Sequence, residues 1–290
     1  MRDVIIVGGG PAGLTAGLYA ARAGMDALLL EKMTAGGQVA LTSRIENYPG
    51  FSEGIDGPEL CMMMEKQAVR AGARIVYAGV LEIDCKGRRV RTSSGWEAGG
   101  RLVLATGAKA NRLGVPGEER LLGRGISFCA TCDGALYRGK RVAVIGGGNS
   151  AAEEALYLAG IGCEVILVHR RDSLRAEAAL VERVMANAAI KPLWNSRVIS
   201  FEGEKKLARV VLDSGKAEAV DGAFVAIGRV PETEMVRGQV EMDAAGFIRA
   251  AEDCRTSVAG VYVAGDARTK GLRQVVTAVA DGAAAVDDRK

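Results

Sequence analysis

The sequence predicts an α/β protein of two three-layer domains, the second inserted into the first, and three observations carry that expectation. The stretch Val4–Lys32, VIIVGGGPAGLTAGLYAARAGMDALLLEK, returns without a gap as Val142–Arg170, VAVIGGGNSAAEEALYLAGIGCEVILVHR. The copies match in their glycine triplets, in Leu18 with Leu156, Tyr19 with Tyr157 and Gly24 with Gly162. A later strand, RLVLATG at Arg101–Gly107, is echoed by AFVAIG at Ala223–Gly228. Glycine is abundant, at 39 of 290 residues, while aromatics are scarce, which suits repeated tight strand-to-helix turns better than a β-sandwich.

Each copy of the repeat reads as an apolar strand, a glycine-rich turn, a helix of about four turns and a second apolar strand. That is a parallel strand–helix–strand unit, for which a right-handed crossover is the strong default. Between the copies, Asp56–Ala71 has helical spacing and Arg74–Thr92 reads as short strands. Toward the end, Val261–Asp266 (VYVAGD) is a strand, followed by a helix from about Arg273 to Val286. This last piece has no counterpart in the second half, so it returns to the first domain. The expected division is 1–112 with 243–290 for a discontinuous first domain, and 113–242 for the inserted one.

Composition excludes several classes. Hydrophobic residues at 49% and charged residues at 25% are ordinary for a soluble globular chain. A net charge of +3 is too small to argue for nucleic acid or an anionic membrane surface. The apolar start is broken by Gly8-Gly9-Gly10-Pro11 and lacks a basic leader, and no stretch reaches transmembrane length without Gly, Pro or charge. Of Cys61, Cys85, Cys129, Cys132, Cys163 and Cys254, only one pair is closely spaced, so a secreted disulfide framework is not expected and a cytoplasmic protein is.

The first turn, Gly8-Gly9-Gly10-Pro11-Ala12-Gly13, follows a strand and opens a helix. Its glycines permit the tight turn, the approach of backbone to a pyrophosphate and close helix–strand packing. The helix start then offers unpaired N–H groups to the phosphates. Glu31 ends the second strand, where a carboxylate accepts hydrogen bonds from a ribose diol. A ligand-free turn would need none of this context.

The second turn, Gly146-x-Gly148-Asn149-Ser150-Ala151, has the same mechanics. Where the first copy has Glu31, this one has His169, followed by Arg170, Arg171 and Arg175. A carboxylate there repels a 2′-phosphate, whereas guanidinium groups pair with it bidentately. The bland alternative is a solvated basic helix start. The aligned exchange of acid for base favours NADPH over NADH.

Cys129-Ala130-Thr131-Cys132-Asp133 is redox-shaped, because two thiols at this spacing near a helix start can close a small disulfide. A zinc site needs about four ligands, and one such pair with one histidine in the chain does not supply them. Reducing a disulfide yields two thiols and so calls for an acid; Asp133 is the nearest, provided burial raises its pKa. Asp133 could instead simply shape the turn before Gly134. Gly265-Asp266 ends a strand with a carboxylate suited to a sugar hydroxyl, and Arg273-Gln274-Val275 starts a helix whose N–H groups could face a flavin. The remaining four cysteines and Met62-Met63-Met64 read as packing residues.

Taken together, GGGPAG, GGQ at 36–38, ENYPGF at 46–51, ATG at 105–107, CATCD, GGGNSAAEEA, HRR and AGD followed by RQ resemble the low-molecular-weight thioredoxin reductases over nearly the whole length, in that family's order. The resemblance implies FAD in the discontinuous Rossmann-like domain, held by the first turn with Glu31, Gly37, Gln38, Asn47, Ala105, Thr106, Gly107, Gly265, Asp266, Arg273, Gln274 and Val275. It implies NADPH in the inserted dinucleotide-binding domain, a homodimer, and electrons passing through flavin to a Cys129–Cys132 disulfide. By the same resemblance Cys132 faces the flavin, Cys129 attacks the disulfide of thioredoxin, and Asp133 is the acid. The inserted domain is expected to rotate, with hinges near Asn111–Gly114 and Glu241–Ala245. Three departures stand out. Ala135-Leu136-Tyr137 replaces an aromatic pair implicated in docking thioredoxin, Glu232 stands where Asn or Asp is usual, and no C-terminal cysteine or selenocysteine relay is expected.

Rival expectations are a reductase of a peroxiredoxin-like partner, an oxidase of small dithiols, and a flavin-binding redox sensor. The first usually carries an N-terminal thioredoxin-like region. The second would not need the arginine cluster, and the third would not need a second nucleotide site.

Overall fold

The apolar runs become strands buried on both faces, as parallel strands covered by helices must be. In the computed structural model, which describes residues 1–42 and 44–287, β1 (Arg2–Val7), α1 (Pro11–Arg22) and β2 (Ala27–Glu31) form the first strand–helix–strand unit. β1 and β2 pair in parallel, with Val4 opposite Ala27. α2 (Gly57–Ala71) ends at Gly72, whose φ of 111° turns the chain into β3 (Arg74–Tyr77), parallel to β2. β4 (Glu82–Asp84), β5 (Arg89–Thr92) and β6 (Gly95–Leu104) make an antiparallel meander, and β6 also lies parallel beside β1. The order across this sheet is β3-β2-β1-β6-β5-β4.

Beyond β7 (Ala108–Ala110) come α3 (Glu118–Leu121), β8 (Ile126–Ser127), α4 (Ala130–Asp133), β9 (Arg141–Gly146), α5 (Asn149–Gly160), β10 (Glu164–Val168), α6 (Ala178–Ala186) and β11 (Ile190–Leu193). The antiparallel strands β12 (Val198–Glu202), β13 (Arg209–Leu212) and β14 (Ala217–Ala219) follow, and then β15 (Gly222–Ala226). The parallel sheet here has the order β11-β10-β9-β15-β8. The chain then runs through β16 (Arg229–Pro231), which pairs with β7, and on to β17 (Val261–Val263), which lies parallel to β6. Last comes α7 (Val275–Ala284), packed on α1.

Both copies of the repeat carry a 12-residue helix, shorter than the four turns expected. The stop is built into the sequence: Gly24 and Gly162 take φ values of +77° and +94° and turn each chain into its next strand. Alternation along β1 splits the first sheet's core. Val4 and Ile6 pack with Leu14, Ala16 and Ala20 of α1 and Ala278 beyond it, while Ile5 and Val7 face Ile83, Val90, Val236 and Val240. Each Val, Leu or Ile among them contributes about 1.5–3 kcal/mol on burial. In the second unit, Val144 and Val165 pack under Ala151, Ala155 and Leu158 of α5.

The compact units are Met1–Lys109 with Val230–Lys290, and Ala110–Arg229. The second boundary therefore lies at 229/230 rather than 243, and a hinge at Glu241–Ala245 would fall inside the first unit. The reason is packing. Val236 and Val240 belong to the first sheet's core, and Gln239 bridges the Cys85 N–H and the Ile83 carbonyl at 2.9 and 2.8 Å. The first crossing lies at 109/110, close to the expected 112. Among the described residues no helix is long and apolar enough to cross a membrane.

Candidate functional site

In the first glycine turn the three glycines have different jobs. A Cβ at Gly8 would strike the Ala105 carbonyl, and one at Gly13 would strike the Gly8 carbonyl, so the protein's own backbone demands both. A Cβ at Gly10 would meet nothing within 4 Å, which leaves the backbone bare where Pro11, Ala12 and Gly13 begin α1. Glu31 accepts the Gly9 N–H at 2.7 Å and the Met33 N–H at 3.1 Å, which holds its carboxylate over the turn.

Other predicted residues gather in the same unit. Gly36 donates to the Gly9 carbonyl at 2.7 Å, bringing Gly37 and Gln38 up to the turn, and a Cβ on Gly37 would lie 3.5 Å from the Gly10 Cα. Ala105 donates to the Val7 carbonyl at 2.8 Å, which sets Ala105, Thr106 and Gly107 beside the strand that feeds the turn. Gly265 lies against Ala12, so that a Cβ on Gly265 would come within 3.0 Å of the Ala12 Cβ, and half-buried Asp266 follows it. Asn47 and Gln274 meet at 3.1 Å although 227 residues separate them. Gln274 precedes α7, which begins at Val275 rather than Arg273, and the Thr277 hydroxyl receives the Gln274 N–H at 3.1 Å. The Arg273 guanidinium lies 4.2 Å from the centre of the Phe247 ring.

Sequence reasoning missed what fixes Gly265. Asp281 of α7, buried, accepts the Gly265 N–H at 2.9 Å and pairs with Arg268 at 2.7 Å and Lys270 at 2.6 Å. Burial pushes its carboxyl up, but the bonds and charges of Arg268 and Lys270 outweigh that and hold it below the usual range. A lone carboxylate inside the apolar run VVTAVADGAAAV was the available signal.

The second turn repeats the device. A Cβ at Gly146 would strike the Ala226 carbonyl, one at Gly148 would meet nothing within 4 Å, and α5 starts at Asn149 and Ser150. The aligned pair recurs in space as well: Gly9 faces Glu31, and Gly147 faces the ring of His169. His169 is buried beside Trp194, at 6.4 Å between ring centres. Burial and the charges of Arg175, Arg171 and Arg170 push its pKa down, so it is neutral at neutral pH. The three arginines are exposed on a loop between β10 and α6, not on a helix start, and the Arg175 N–H anchors that loop to the Gly147 carbonyl at 2.7 Å.

Cys129 and Cys132 form a disulfide, with Cα atoms 5.3 Å apart. Cys129 immediately precedes α4, a single turn that also holds Cys132 and Asp133. Ser127, at the end of β8, organises the group. Its hydroxyl donates to Asp133 Oδ2 at 2.6 Å and accepts the Cys129 N–H at 3.0 Å. The sequence marks Ser127 only by its place two residues before the pair. Tyr137 turns inward and packs edge-on against Phe224 at 5.4 Å, whereas Leu136 is 47% exposed. Glu232 pairs with Lys109 at 2.8 Å, which accounts for a carboxylate at that position.

The other cysteines are buried. Desolvation pushes Cys61 and Cys85 up to about 11 and Cys254 up to about 12, and raises Cys163. They are poor nucleophiles and packing groups.

The chain has known relatives over nearly its whole length. Residues 2–282 match the family described as pyridine nucleotide-disulphide oxidoreductase. A thioredoxin reductase of Treponema pallidum is 44% identical, over 98% of this chain and 94% of that protein. One of Mycolicibacterium smegmatis is 43% identical, over 99% and 95%. The crystal structure of thioredoxin reductase from Streptococcus pyogenes matches with a TM-score of 0.92 at 41% identity, covering 98% of this chain and 95% of that one.

Proposed function

Since the chain belongs to the pyridine nucleotide-disulphide oxidoreductase family, we propose that it is an NADPH-dependent, FAD-containing reductase of thioredoxin acting through Cys129 and Cys132. The observation that carries this reading is the division of chemistry between the units. One holds a glycine turn overlooked by a carboxylate; the other holds a glycine turn overlooked by neutral His169 and bordered by the loop that carries Arg170, Arg171 and Arg175, together with the disulfide.

The residues fit both cofactors. Gly10 leaves room for a pyrophosphate at the start of α1, Glu31 accepts from a ribose diol, and Asn47, Thr106, Asp266 and Gln274 bring polar groups to the same unit. Gly148 leaves the same room at the start of α5, and Arg170, Arg171 and Arg175 supply guanidinium groups for a 2′-phosphate. When bound, the nicotinamide supplies a hydride and the flavin relays its two electrons to the disulfide. Cys129 attacks the partner's disulfide, Cys132 resolves the mixed disulfide, and Asp133, held by Ser127, gives or takes the proton. A cytoplasmic homodimer completes the proposal.

A second reading, a disulfide partner other than thioredoxin, draws on the exposed Leu136 and inward Tyr137. Following NADPH consumption on addition of oxidised thioredoxin separates the two. Saturable consumption supports the first reading. Consumption only with another protein disulfide supports the second.

A further inference from the structure

Within the second unit a buried carboxyl that takes no part in either nucleotide turn lies under the disulfide. Glu154 of α5 has its Oε2 enclosed and without a hydrogen-bond partner. The Ala130 amide, immediately after Cys129, turns toward this carboxyl, and the Arg229 guanidinium acts on it. Arg229 also donates to the Phe128 carbonyl, immediately before Cys129, at 3.2 Å. Arg229 thus holds the peptide group before Cys129, and Glu154 lies toward the one after it. The surroundings are apolar: Ala130, Ala151, Ala155 and Leu158 form the cluster that packs α5 against β9, β10 and β15.

We propose that Glu154 and Arg229 are positioning residues for Cys129, fixing the backbone on either side of its sulfur and setting, through the charge on Glu154, how readily its thiol ionises after the disulfide is reduced. The inference rests on reading Cys129–Cys132 as the redox pair. The charged groups that act on Glu154 are Arg229 from β16 and its own neighbour Glu153; α6 brings Arg183 to a surface hollow with Glu153. Burial pushes Glu154 up to about 7, against the pull of Arg229 and the Ala130 amide. The carboxyl therefore changes charge across the neutral range. Below that range it is neutral, and Arg229 alone favours a Cys129 thiolate. Above it, an added negative charge opposes the thiolate. The thiol's own titration is broadened as a result.

The test is the pH profile of iodoacetamide alkylation at Cys129 in FAD-loaded protein reduced with dithiothreitol, read by peptide mass spectrometry for wild type, Glu154→Gln and Glu154→Asp. Burial of the other four cysteines keeps the readout clean. Glu154→Gln, isosteric but without charge, is expected to give a simple one-proton curve, alkylating roughly threefold faster at pH values above the Glu154 titration and below that of the thiol, the effect of about half a pKa unit. Glu154→Asp, smaller but ionisable, is expected to keep the broadened wild-type shape. Should Glu154→Gln fail to hold FAD, the Glu154→Asp profile decides alone, since loss of the broadening there contradicts the proposal. Superimposable wild-type and Glu154→Gln curves, or a Glu154→Asp curve more disturbed than Glu154→Gln, would overturn it in favour of simple packing. A parallel sample reduced by NADPH instead tests the redox reading. If its Cys129 stays unalkylated, that reading fails while the dithiothreitol profiles still judge Glu154.

Discussion

The two glycine turns share a backbone device and differ in what overlooks it. In both, the first glycine is demanded by a carbonyl of the neighbouring strand's end, Ala105 or Ala226, and the middle one faces open space. In both, the residue between them is covered by the side chain that ends the second strand. In the first unit that side chain is Glu31, hydrogen-bonded to the Gly9 N–H. In the second it is His169, held neutral by burial and three arginines. On the proposed reading, the backbone accounts for the binding of a dinucleotide, and one side chain with its neighbours accounts for which one. The second unit adds the disulfide, and the first adds the ion group at Asp281 that anchors Gly265.

The largest effect is expected at the disulfide. Cys129→Ser should abolish thioredoxin reduction while flavin reduction by NADPH persists, measured by stopped-flow absorbance; loss of both would contradict the assignment of roles.

Next comes the anchor of the first unit. Asp281→Asn leaves Arg268 and Lys270 facing no charge in a buried site, and should cost about 3–5 kcal/mol in urea unfolding. The pH dependence follows from the sign. The folded carboxyl lies below its unfolded value of 3.8, so its contribution is present above that value and is lost as pH falls through the folded one. Asp281→Asn should flatten that acid limb.

Smaller is the cation loop of the second unit. Replacing Arg170 and Arg171 by Ala should raise the NADPH KM roughly 10- to 100-fold with less effect on kcat, the mark of lost ground-state binding. An unchanged preference over NADH would remove the 2′-phosphate assignment.

Smallest is His169. Its folded pKa lies below the ordinary 6.5, so the unfolded chain takes up a proton first and stability declines as pH drops below 6.5. His169→Asn should remove that decline in urea titrations.

Much of this was legible in the sequence because glycine and charge patterns are local. The repeat located both turns, the exchange of Glu31 for His169 and the cation loop, and the final strand and helix, lacking a counterpart in the second half, were returned to the first domain. The domain boundary was missed because Val236 and Val240 reveal their partner only by packing beside Ile5. Ser127 and Glu154 were missed because what each does depends on folding. A serine on a two-residue strand becomes the clamp of Asp133, and one of two adjacent glutamates turns inward beneath Ala130.

The central claim is an electron path from NADPH through a flavin to Cys129–Cys132. Its most direct test is anaerobic mixing of the purified protein with NADPH, and separately NADH, while following flavin absorbance. Fast bleaching by NADPH, much slower bleaching by NADH, and reoxidation on adding oxidised thioredoxin are expected. Absence of bleaching by either nucleotide would contradict that path.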